Sequence, residues 1–362
     1  MRLWFFCVGV ALVAAPLRGL PAQQRLSVQD AERILAPLVE AYGVSGAEDS
    51  VRALVQRELP GWARAETDSA GNLWVRAGSG DPLVVFVAHL DEIGFRVTGI
   101  REDGQLLLEP RGGFFTSLFE AEPALVHTAR GMVPGVFTPR DSGTSRRSPG
   151  ALRVDLGTTT REATETLGIG PGATVTMPKQ YVRLAGTRAT GRSFDDRVGC
   201  AALLLALRRL DPARLRHAVV FIWSVREEIG LEGARVAADA LGISPARVHA
   251  IDTFVSSDAP LELTSYAYAP LGKGPVIRAL DNSAAAPAVL VDSLRTLARA
   301  ARIPIQYGTT SGGNDGSVFV PWGVPDVAIG WPLRYSHSPA ETMDLRDLVG
   351  LAEVVRLIAE RW

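Results

Sequence analysis

Cysteine is scarce in this chain, with only Cys7 and Cys200 among 362 residues. Cys7 lies in an apolar N-terminal run that we predict below to be removed, so the mature chain would keep one thiol and form no intramolecular disulfide. Cys200 lies in residues 198–207, an apolar stretch with a helical pattern, where a small buried side chain is expected rather than a nucleophile. This argues against a cysteine peptidase.

An excess of charge of either sign is also absent, because 38 lysines and arginines balance 39 aspartates and glutamates. Proteins that bind nucleic acids or anionic membrane surfaces through their overall charge carry a basic excess. We therefore expect no nucleic-acid partner. Hydrophobic residues make up 47% of the sequence and charged residues 21%, which suits one large globular domain, or one plus a smaller domain.

Long apolar runs are missing apart from residues 3–17 near the N-terminus. Arg2 precedes this run, and a short segment after it ends in Ala22, followed by a polar pair. The pattern predicts a signal peptide over residues 1–22 and export to the periplasm or the extracellular space. A run of about 15 residues is short for a membrane span, so we expect no stable membrane insertion after cleavage. An uncleaved membrane anchor is the alternative.

Helical and strand patterns alternate along most of the remaining sequence. Helices are predicted from about residue 27 to 41 and from about 46 to 59, with Ser27 and Ser45 as candidate N-caps, and Asp344 is predicted to cap the last helix. These patterns favour an α/β protein.

The strand patterns indicate how this α/β fold is organised. Residues 83–88 form a continuous apolar run, which is typical of a strand buried on both faces of a sheet. Between residues 100 and 184 the segments are short, with many glycines and prolines, which predicts a small β-domain. We predict a mostly parallel or mixed central sheet flanked by helices, formed by residues 23–99 and 185–362, with an inserted β-barrel-like domain at 100–184.

Four predicted strands end in side chains that bind metals or transfer protons. In chain order these are His89 and Asp91, Glu227 and Glu228, Asp252, and His337 in a loop after the fourth strand. Functional crevices of open α/β sheets lie at the carboxyl ends of the strands, so these side chains are expected to converge. Each alone also suits a structural role, and Asp195 and Asp196 before a helix also suit capping.

Together these residues suit a pair of divalent cations. Imidazole and carboxylate ligands favour zinc, with cobalt and manganese as alternatives. The carboxylates of Asp195, Glu228 and Asp252 would offset only part of the charge of two such ions, which favours hydroxide, and a metal lowers the pKa of water to about 7. Glu227 would be free to act as general base, and Asp91 would orient His89 through a hydrogen bond.

Five segments, in the same order, resemble the M42 family of glutamyl and tetrahedral aminopeptidases, within the clan of dinuclear zinc exopeptidases. They are residues 88–94 (AHLDEIG), 193–199 (SFDDRVG), 226–234 (REEIGLEGA), 272–275 (GKGP) and 334–337 (RYSH). The resemblance extends over about residues 51–356. It implies a catalytic peptidase domain at 23–99 and 185–362, and it implies that 100–184 form a dimerisation domain. Homo-oligomers are then expected, from a dimer up to a dodecamer.

The resemblance also implies roles for individual residues. His89 and His337 would bind one metal ion each, Asp195 would bridge the two ions, and Glu228 and Asp252 would complete the ligand sets. Glu227 would be the catalytic base. A non-proline cis peptide is expected near Asp195.

Three features depart from the family pattern. An export signal is unusual, because most members are cytosolic. Residues 310–316 (TSGGNDG) only approximate the family's Gly-Gly-Thr-Asp stretch, which leaves the role of Asp315 open. Arg226 stands where a neutral polar residue is usual, and either attracts a substrate carboxylate or pairs with a neighbouring acid.

The leading hypothesis is an aminopeptidase that removes N-terminal residues from peptide substrates. A deacylase or carboxypeptidase with the same metal pair is the main alternative. A non-catalytic metal-binding scaffold is the other, although a decayed site would be expected to lose its base, and Glu227 is present. The sequence assigns no role to His127, His217 or His249.

Overall fold

The structure is a computed structural model, and it describes residues 26–139, 152–258 and 267–362. The predicted signal peptide at 1–22 and Cys7 lie outside the described residues. Within the three described ranges, no helix is long and apolar enough to cross a membrane.

The described residues form seven α-helices. They are α1 (Val28–Glu40), α2 (Asp49–Glu58), α3 (Arg161–Thr166), α4 (Phe194–Arg209), α5 (Glu232–Leu241), α6 (Ala288–Ala300) and α7 (Leu345–Arg361). Three short 3₁₀ helices cover Thr116–Phe119, Pro212–Arg214 and Asp315–Trp322. The predicted caps Ser27 and Asp344 accept hydrogen bonds from the first turns of α1 and α7. Ser45 does not cap α2, because this helix begins at Asp49 with Glu48 at the N-cap position.

The strands of the described residues are numbered in chain order. They are β1 (Ala65–Thr67), β2 (Leu73–Ala77), β3 (Leu83–His89), β4 (Gly94–Ile100), β5 (Leu106–Arg111), β6 (Pro123–Thr128), β7 (Gly131–Phe137), β8 (Arg153–Asp155), β9 (Thr174–Thr176), β10 (Val182–Arg183), β11 (Arg188–Gly191), β12 (Ala218–Ser224), β13 (Pro245–Ala250), β14 (Phe254–Val255), β15 (Val276–Leu280), β16 (Gln306–Thr309), β17 (Ile329–Gly330), β18 (Pro332–Leu333) and β19 (Glu341–Asp344).

The largest open sheet has the strand order β1-β2-β12-β3-β13. Strand β3 pairs in parallel with both β12 and β13, whereas β2 pairs antiparallel with β1 and β12. The sheet is therefore mixed, with parallel pairing confined to its β12-β3-β13 side. The remaining open sheets contain two or three strands each.

Strand β3 is buried on both faces, as its apolar run predicts. Val84, Phe86 and Ala88 pack in the larger core cluster, with residues of α1, α4 and α7. Val85 and Val87 point to the other face and pack with residues of α5 and the Asp315–Trp322 helix. This alternation follows from the two-residue period of a strand, and it gives the sheet a helical layer on each side.

Six strands between the two parts of this α/β unit close into a barrel in the order β4-β5-β8-β7-β6-β9. Its core is built on packed aromatic rings, with Phe95 within 5.3 Å of Phe114, Phe119 and Phe137, measured between ring centroids. The first barrel strand begins at Gly94, before residue 100, and the division into domains stays a prediction.

Candidate metal centre

The predicted site residues meet at the carboxyl ends of the parallel strands. A cavity of about 520 Å³ is lined by His89, Asp195, Glu227, Glu228, Asp252 and His337. His89 is the last residue of β3, Glu227 and Glu228 follow β12, and Asp252 follows β13. Asp195 comes from the start of α4, and His337 comes from the loop between β18 and β19. Asp91 lies fully buried behind this lining.

Asp195 lies between the two histidines. Its Oδ1 is 3.1 Å from Nε2 of His89, and its Oδ2 is 3.3 Å from Nε2 of His337. The two oxygens of one carboxylate thus face two different imidazoles. This is the arrangement required of a carboxylate that bridges two cations.

Glu228 lies on the His337 side of the centre. Its Oε1 is 3.2 Å from Nε2 of His337, yet this buried oxygen has no hydrogen-bond partner among the described residues. Two atoms that bind one zinc ion at about 2.1 Å and a tetrahedral angle lie about 3.4 Å apart. Closely spaced ligand atoms without hydrogen-bond geometry therefore fit a shared cation.

His89, Asp195 and Glu228 lie close enough to share a metal ion. One potential ligand atom from each of these three residues lies within 4.8 Å of the other two. Asp252 lines the same cavity, but its Oδ2 is 3.1 Å from Nη1 of Arg278, a side chain that is only 1% exposed. Arg278 was not predicted from the sequence, because it lies in a short strand just after the 272–275 segment and no pattern marks it as a partner of Asp252.

Acidic side chains outnumber basic ones in this region. The acidic side chains include Asp91, Asp195, Asp196, Glu227, Glu228, Asp252, Asp315 and Glu341, and the basic ones are His89, His337 and Arg278. Burial, together with neighbouring carboxylates, raises the pKa of Asp252 to about 6, of Asp315 to about 7 and of Glu341 to about 8. Bound cations would relieve this repulsion.

Glu227 is the cavity carboxylate that lies beside His89 and is not among the predicted ligands. Its Oε2 is 3.9 Å from Nε2 of His89. Burial raises the pKa of Glu227 well above its usual value, and the carboxylates of Asp252 and Glu228 raise it further, against the effect of His89. A carboxyl group whose pKa is raised in this way can accept a proton and later donate it.

Asp91 holds the turn that carries both glutamates. Its Oδ1 accepts the N–H of Glu227 at 2.9 Å, and its Oδ2 accepts the N–H of Glu228 at 3.1 Å. Ser45, which does not cap α2, donates its hydroxyl to Asp91 at 2.5 Å. Oδ1 of Asp91 is also 3.4 Å from Nδ1 of His89, within the same polar cluster.

Glu341 is a positioning residue that the sequence analysis missed. Its Oε1 accepts the N–H of His337 at 2.9 Å, and its Oε2 accepts the N–H of Asp195 at 3.3 Å. One buried carboxylate therefore fixes the backbone of two predicted ligands. A single glutamate at the start of a short strand gives no sequence pattern that would have identified it.

The barrel side of the chain contributes to the centre as well. Nδ1 of His337 lies 2.7 Å from the carbonyl oxygen of Gly113, which follows β5. Because a carbonyl only accepts, Nδ1 carries the proton in this bond, and the Nε2 lone pair of a neutral ring faces Asp195 and Glu228. No pattern in the sequence predicted this contact.

The backbone near the centre has unusual conformations. The peptide bond between Asp195 and Asp196 is cis, which confirms the expectation from the family resemblance. Positive φ angles occur at Ser193 (67°), Arg226 (55°) and His337 (60°). Such residues persist where their surroundings hold them, and they concentrate at functional sites. Arg226 pairs with Glu232 at 2.7 Å, the neighbouring-acid alternative of the two considered.

Two further buried residues contact the ends of the strands that carry the centre. Cys200 is a free, buried thiol that donates to the carbonyl of His89 at 3.1 Å, and burial raises its pKa. Asp315 is buried and accepts a hydrogen bond from Ser224, the residue of β12 that pairs with His89. It supports the end of the strand from which Glu227 and Glu228 follow.

Comparison with known proteins places this arrangement in a family. The M42 glutamyl aminopeptidase family model matches residues 71–354. The chain is 30% identical over 342 residues to the lysyl aminopeptidase of Pyrococcus furiosus, covering 90% of this chain and 96% of that protein. It is 26% identical over 337 residues to the glutamyl aminopeptidase of Lactococcus lactis, covering 89% and 93% respectively.

A solved structure gives the same result in three dimensions. The TET1 peptidase of Pyrococcus horikoshii aligns with a TM-score of 0.83 and 33% identity, over 93% of this chain and 100% of that one. The matched segment includes every predicted ligand, and the similarity extends over most of both chains. The chain is therefore a peptidase of the M42 family.

Proposed function

We propose that the chain is a dinuclear metal-dependent aminopeptidase that hydrolyses N-terminal residues from peptides. The observation that carries this proposal is the position of Asp195, whose two oxygens face His89 and His337 separately. A site for a single ion would have no need of a carboxylate shared in this way.

We propose that these residues form two cation sites. His89, Asp195 and Asp252 would hold one cation, and Asp195, Glu228 and His337 would hold the other. Two nitrogen and several oxygen donors suit zinc, with cobalt and manganese as alternatives. When bound, such ions supply Lewis acidity that brings the pKa of water to about 7 and polarises the scissile carbonyl.

The chain's own residues move the protons and fix the ligands. Glu227 accepts the proton of the attacking water and passes it to the leaving amine, as a general base and then a general acid. Asp91 holds Glu227 and Glu228 in place through their backbone N–H groups. Glu341 does the same for Asp195 and His337.

The assembly and location of the chain are further parts of the proposal. The TET1 peptidase of Pyrococcus horikoshii can assemble into a tetrahedron or a large octahedral shell. We propose that this chain also forms homo-oligomers, with residues 100–184 as the dimerisation domain and residues 23–99 and 185–362 as the catalytic domain. Residues 1–22 would direct export, on the strength of the N-terminal pattern alone.

Hydrolysis assays with and without metal test the proposed activity. The purified mature chain would be assayed on free-amine and N-blocked aminoacyl amides, before and after chelation, and again with zinc, cobalt or manganese restored. We expect turnover of the free-amine substrates only, lost on chelation. Turnover of only the N-blocked substrates would indicate a deacylase, and metal binding without any turnover would indicate a scaffold.

A Glu227→Gln variant tests the general base. Loss of the proton acceptor should lower kcat by about 10²–10⁴-fold, while bound metal, measured by elemental analysis, stays unchanged. Glu232→Gln is the matched control, because Glu232 lies close in sequence but pairs with Arg226 outside the ligand set. Equal activity losses in the two variants would contradict the role of Glu227.

A further inference from the structure

Part of the cavity wall is apolar and comes from the segment after β5. Phe114, Phe115 and Leu118 line the cavity here, and Leu231 and Val255 add apolar surface from the α/β unit. Phe115 is 79% exposed and Leu118 is 44% exposed, so both present uncovered apolar surface. Exposed apolar groups at a binding cavity indicate a surface that a ligand covers.

This segment is anchored, so its apolar side chains are held at the cavity. Phe114 packs edge-on against Phe95 and against Phe119, with ring centroids 5.2 and 5.1 Å away, in the barrel core. The carbonyl of Gly113 accepts the hydrogen bond from His337. Phe115 follows directly and is left at the surface of the cavity.

The charged side chains that line the cavity are proposed metal ligands, the proposed base Glu227, or Arg278, which forms ion pairs. Apart from the proposed ligands and Glu227, Arg278 is the charged side chain among the described residues that line it. Its guanidinium lies 3.1 Å from Asp252 and 3.0 Å from Asp281. It also donates to the carbonyl oxygens of Thr253, Gly312 and Gly313, and its side chain is 1% exposed.

Within the part of the chain that the structure describes, the cavity therefore offers no free cation to a carboxylate on the substrate side chain, and every carboxylate in its lining is a proposed ligand or Glu227. We infer that this peptidase selects substrates whose N-terminal residue has an uncharged, apolar side chain, such as leucine, methionine or phenylalanine. Phe115 and Leu118 determine this specificity. The inference rests on the proposed aminopeptidase function, and it differs from the lysyl and glutamyl specificities for which the two relatives are named.

A panel of aminoacyl amides with one common leaving group tests the specificity. We expect kcat/KM for leucyl, methionyl and phenylalanyl substrates to exceed that for lysyl and glutamyl substrates by at least about 30-fold, because a charged side chain would be desolvated without a partner. A higher value for the lysyl or glutamyl substrate would overturn the inference and leave the aminopeptidase function intact. Absence of turnover on every free-amine substrate would overturn both.

Variants of Phe115 test the role of the barrel segment. Phe115→Ser should lower kcat/KM for the leucyl and phenylalanyl substrates about 5- to 20-fold and leave the alanyl substrate nearly unchanged. Phe115→Arg should raise the glutamyl rate relative to the leucyl rate. Ile243→Ser is the matched control, since Ile243 is also 79% exposed but lies before β13, at the opposite end of the sheet.

A binding measurement separates the first substrate residue from the second. Calorimetric titration of the Glu227→Gln variant with dipeptides should show affinity that follows the first residue and weakens with Phe115→Ser. Affinity that follows only the second residue, or that is unaffected by Phe115→Ser, would overturn the assignment.

Discussion

Glu341 illustrates how a residue that would not contact a metal can still control a metal centre. Its two carboxylate oxygens accept the backbone N–H groups of His337 and Asp195, so it fixes the distance between two proposed ligands. Burial and the nearby Asp195 carboxylate together raise its pKa to about 8. The two hydrogen bonds therefore require a side chain with an acceptor at each end.

A Glu341→Gln variant should weaken metal binding. Glutamine keeps the size of the side chain but replaces one acceptor with an NH₂ group, which would face a backbone N–H. We expect metal affinity to fall about 10- to 100-fold, with kcat restored largely by excess metal. Competition with a chromogenic chelator would measure the affinity. An unchanged affinity would contradict the positioning role, and Glu109→Gln in the exposed Arg96 pair is the matched control.

At the scale of elements, one buried ionic cluster joins the barrel to the central sheet. Glu92 lies where the chain passes from β3 into β4, and Lys179 lies where it leaves the barrel after β9. Oε2 of Glu92 is 2.6 Å from Nζ of Lys179 and 3.5 Å from Nη2 of Arg192, and Oε1 is 3.6 Å from Nη2 of Arg197. All four side chains are at most 2% exposed.

Glu92→Gln should destabilise the chain strongly. Removing the carboxylate would leave Lys179, Arg192 and Arg197 buried without a counter-charge, at a cost of about 3–5 kcal/mol. Urea unfolding of the metal-free protein would measure the change. Glu102→Gln is the control, because the Arg161–Glu102 pair is exposed and should contribute at most about 1 kcal/mol. Equal effects of the two substitutions would contradict the role of the cluster.

The same cluster gives an expected acid sensitivity. Burial opposes ionisation of Glu92, but Lys179, Arg192 and Arg197 overcome it and lower the pKa from 4.5 to about 2. The carboxylate's stabilisation is therefore fully present above pH 4.5 and is lost as the pH falls towards 2. In the same urea experiment, wild type should lose stability in this window more steeply than Glu92→Gln.

Much of the site could be predicted, because an apolar run followed by a histidine or an acidic residue marks the end of a buried strand. The apolar run before His89 and the acids after β12 and β13 identified side chains that now line one cavity. The contacts of Gly113, Arg278 and Glu341 could not be predicted, because each depends on packing between segments distant in sequence. Ser45 was predicted as a cap on local pattern, yet the buried carboxylate of Asp91 takes its hydroxyl.

Part of the fold could also be predicted from the sequence. Strand β3, buried on both faces, was evident from its composition, and so was the barrel region from its short alternating segments. The antiparallel pairing of β2 with β12 was not evident, since register and direction depend on which strand lies beside it rather than on its own residues.

At the scale of the whole molecule, the barrel leaves apolar side chains uncovered. Met132 is 56% exposed and Val136 is 47% exposed, both on β7. A homo-oligomer formed through this domain would cover such residues.

Met132→Glu with Val136→Glu should therefore lower the molar mass measured by light scattering, because charges would have to be buried at the interface. The circular dichroism spectrum should be unchanged. Val289→Glu is the control, since Val289 is 71% exposed on α6, away from the barrel. An unchanged mass in the double variant would exclude this surface as the contact.

The hydrogen bond from His337 to the carbonyl of Gly113 joins a proposed metal ligand of one structural unit to the backbone of the other. Thermodynamic linkage then acts in both directions. If metal binding strengthens this contact by a given free energy, the contact strengthens metal binding by the same free energy. Metal at 100 times its dissociation constant stabilises a folded state by about 2.7 kcal/mol. Part of that stabilisation should appear in the barrel. Amide hydrogen exchange in the segment around Gly113 should therefore slow when metal binds, although this segment supplies no metal ligand.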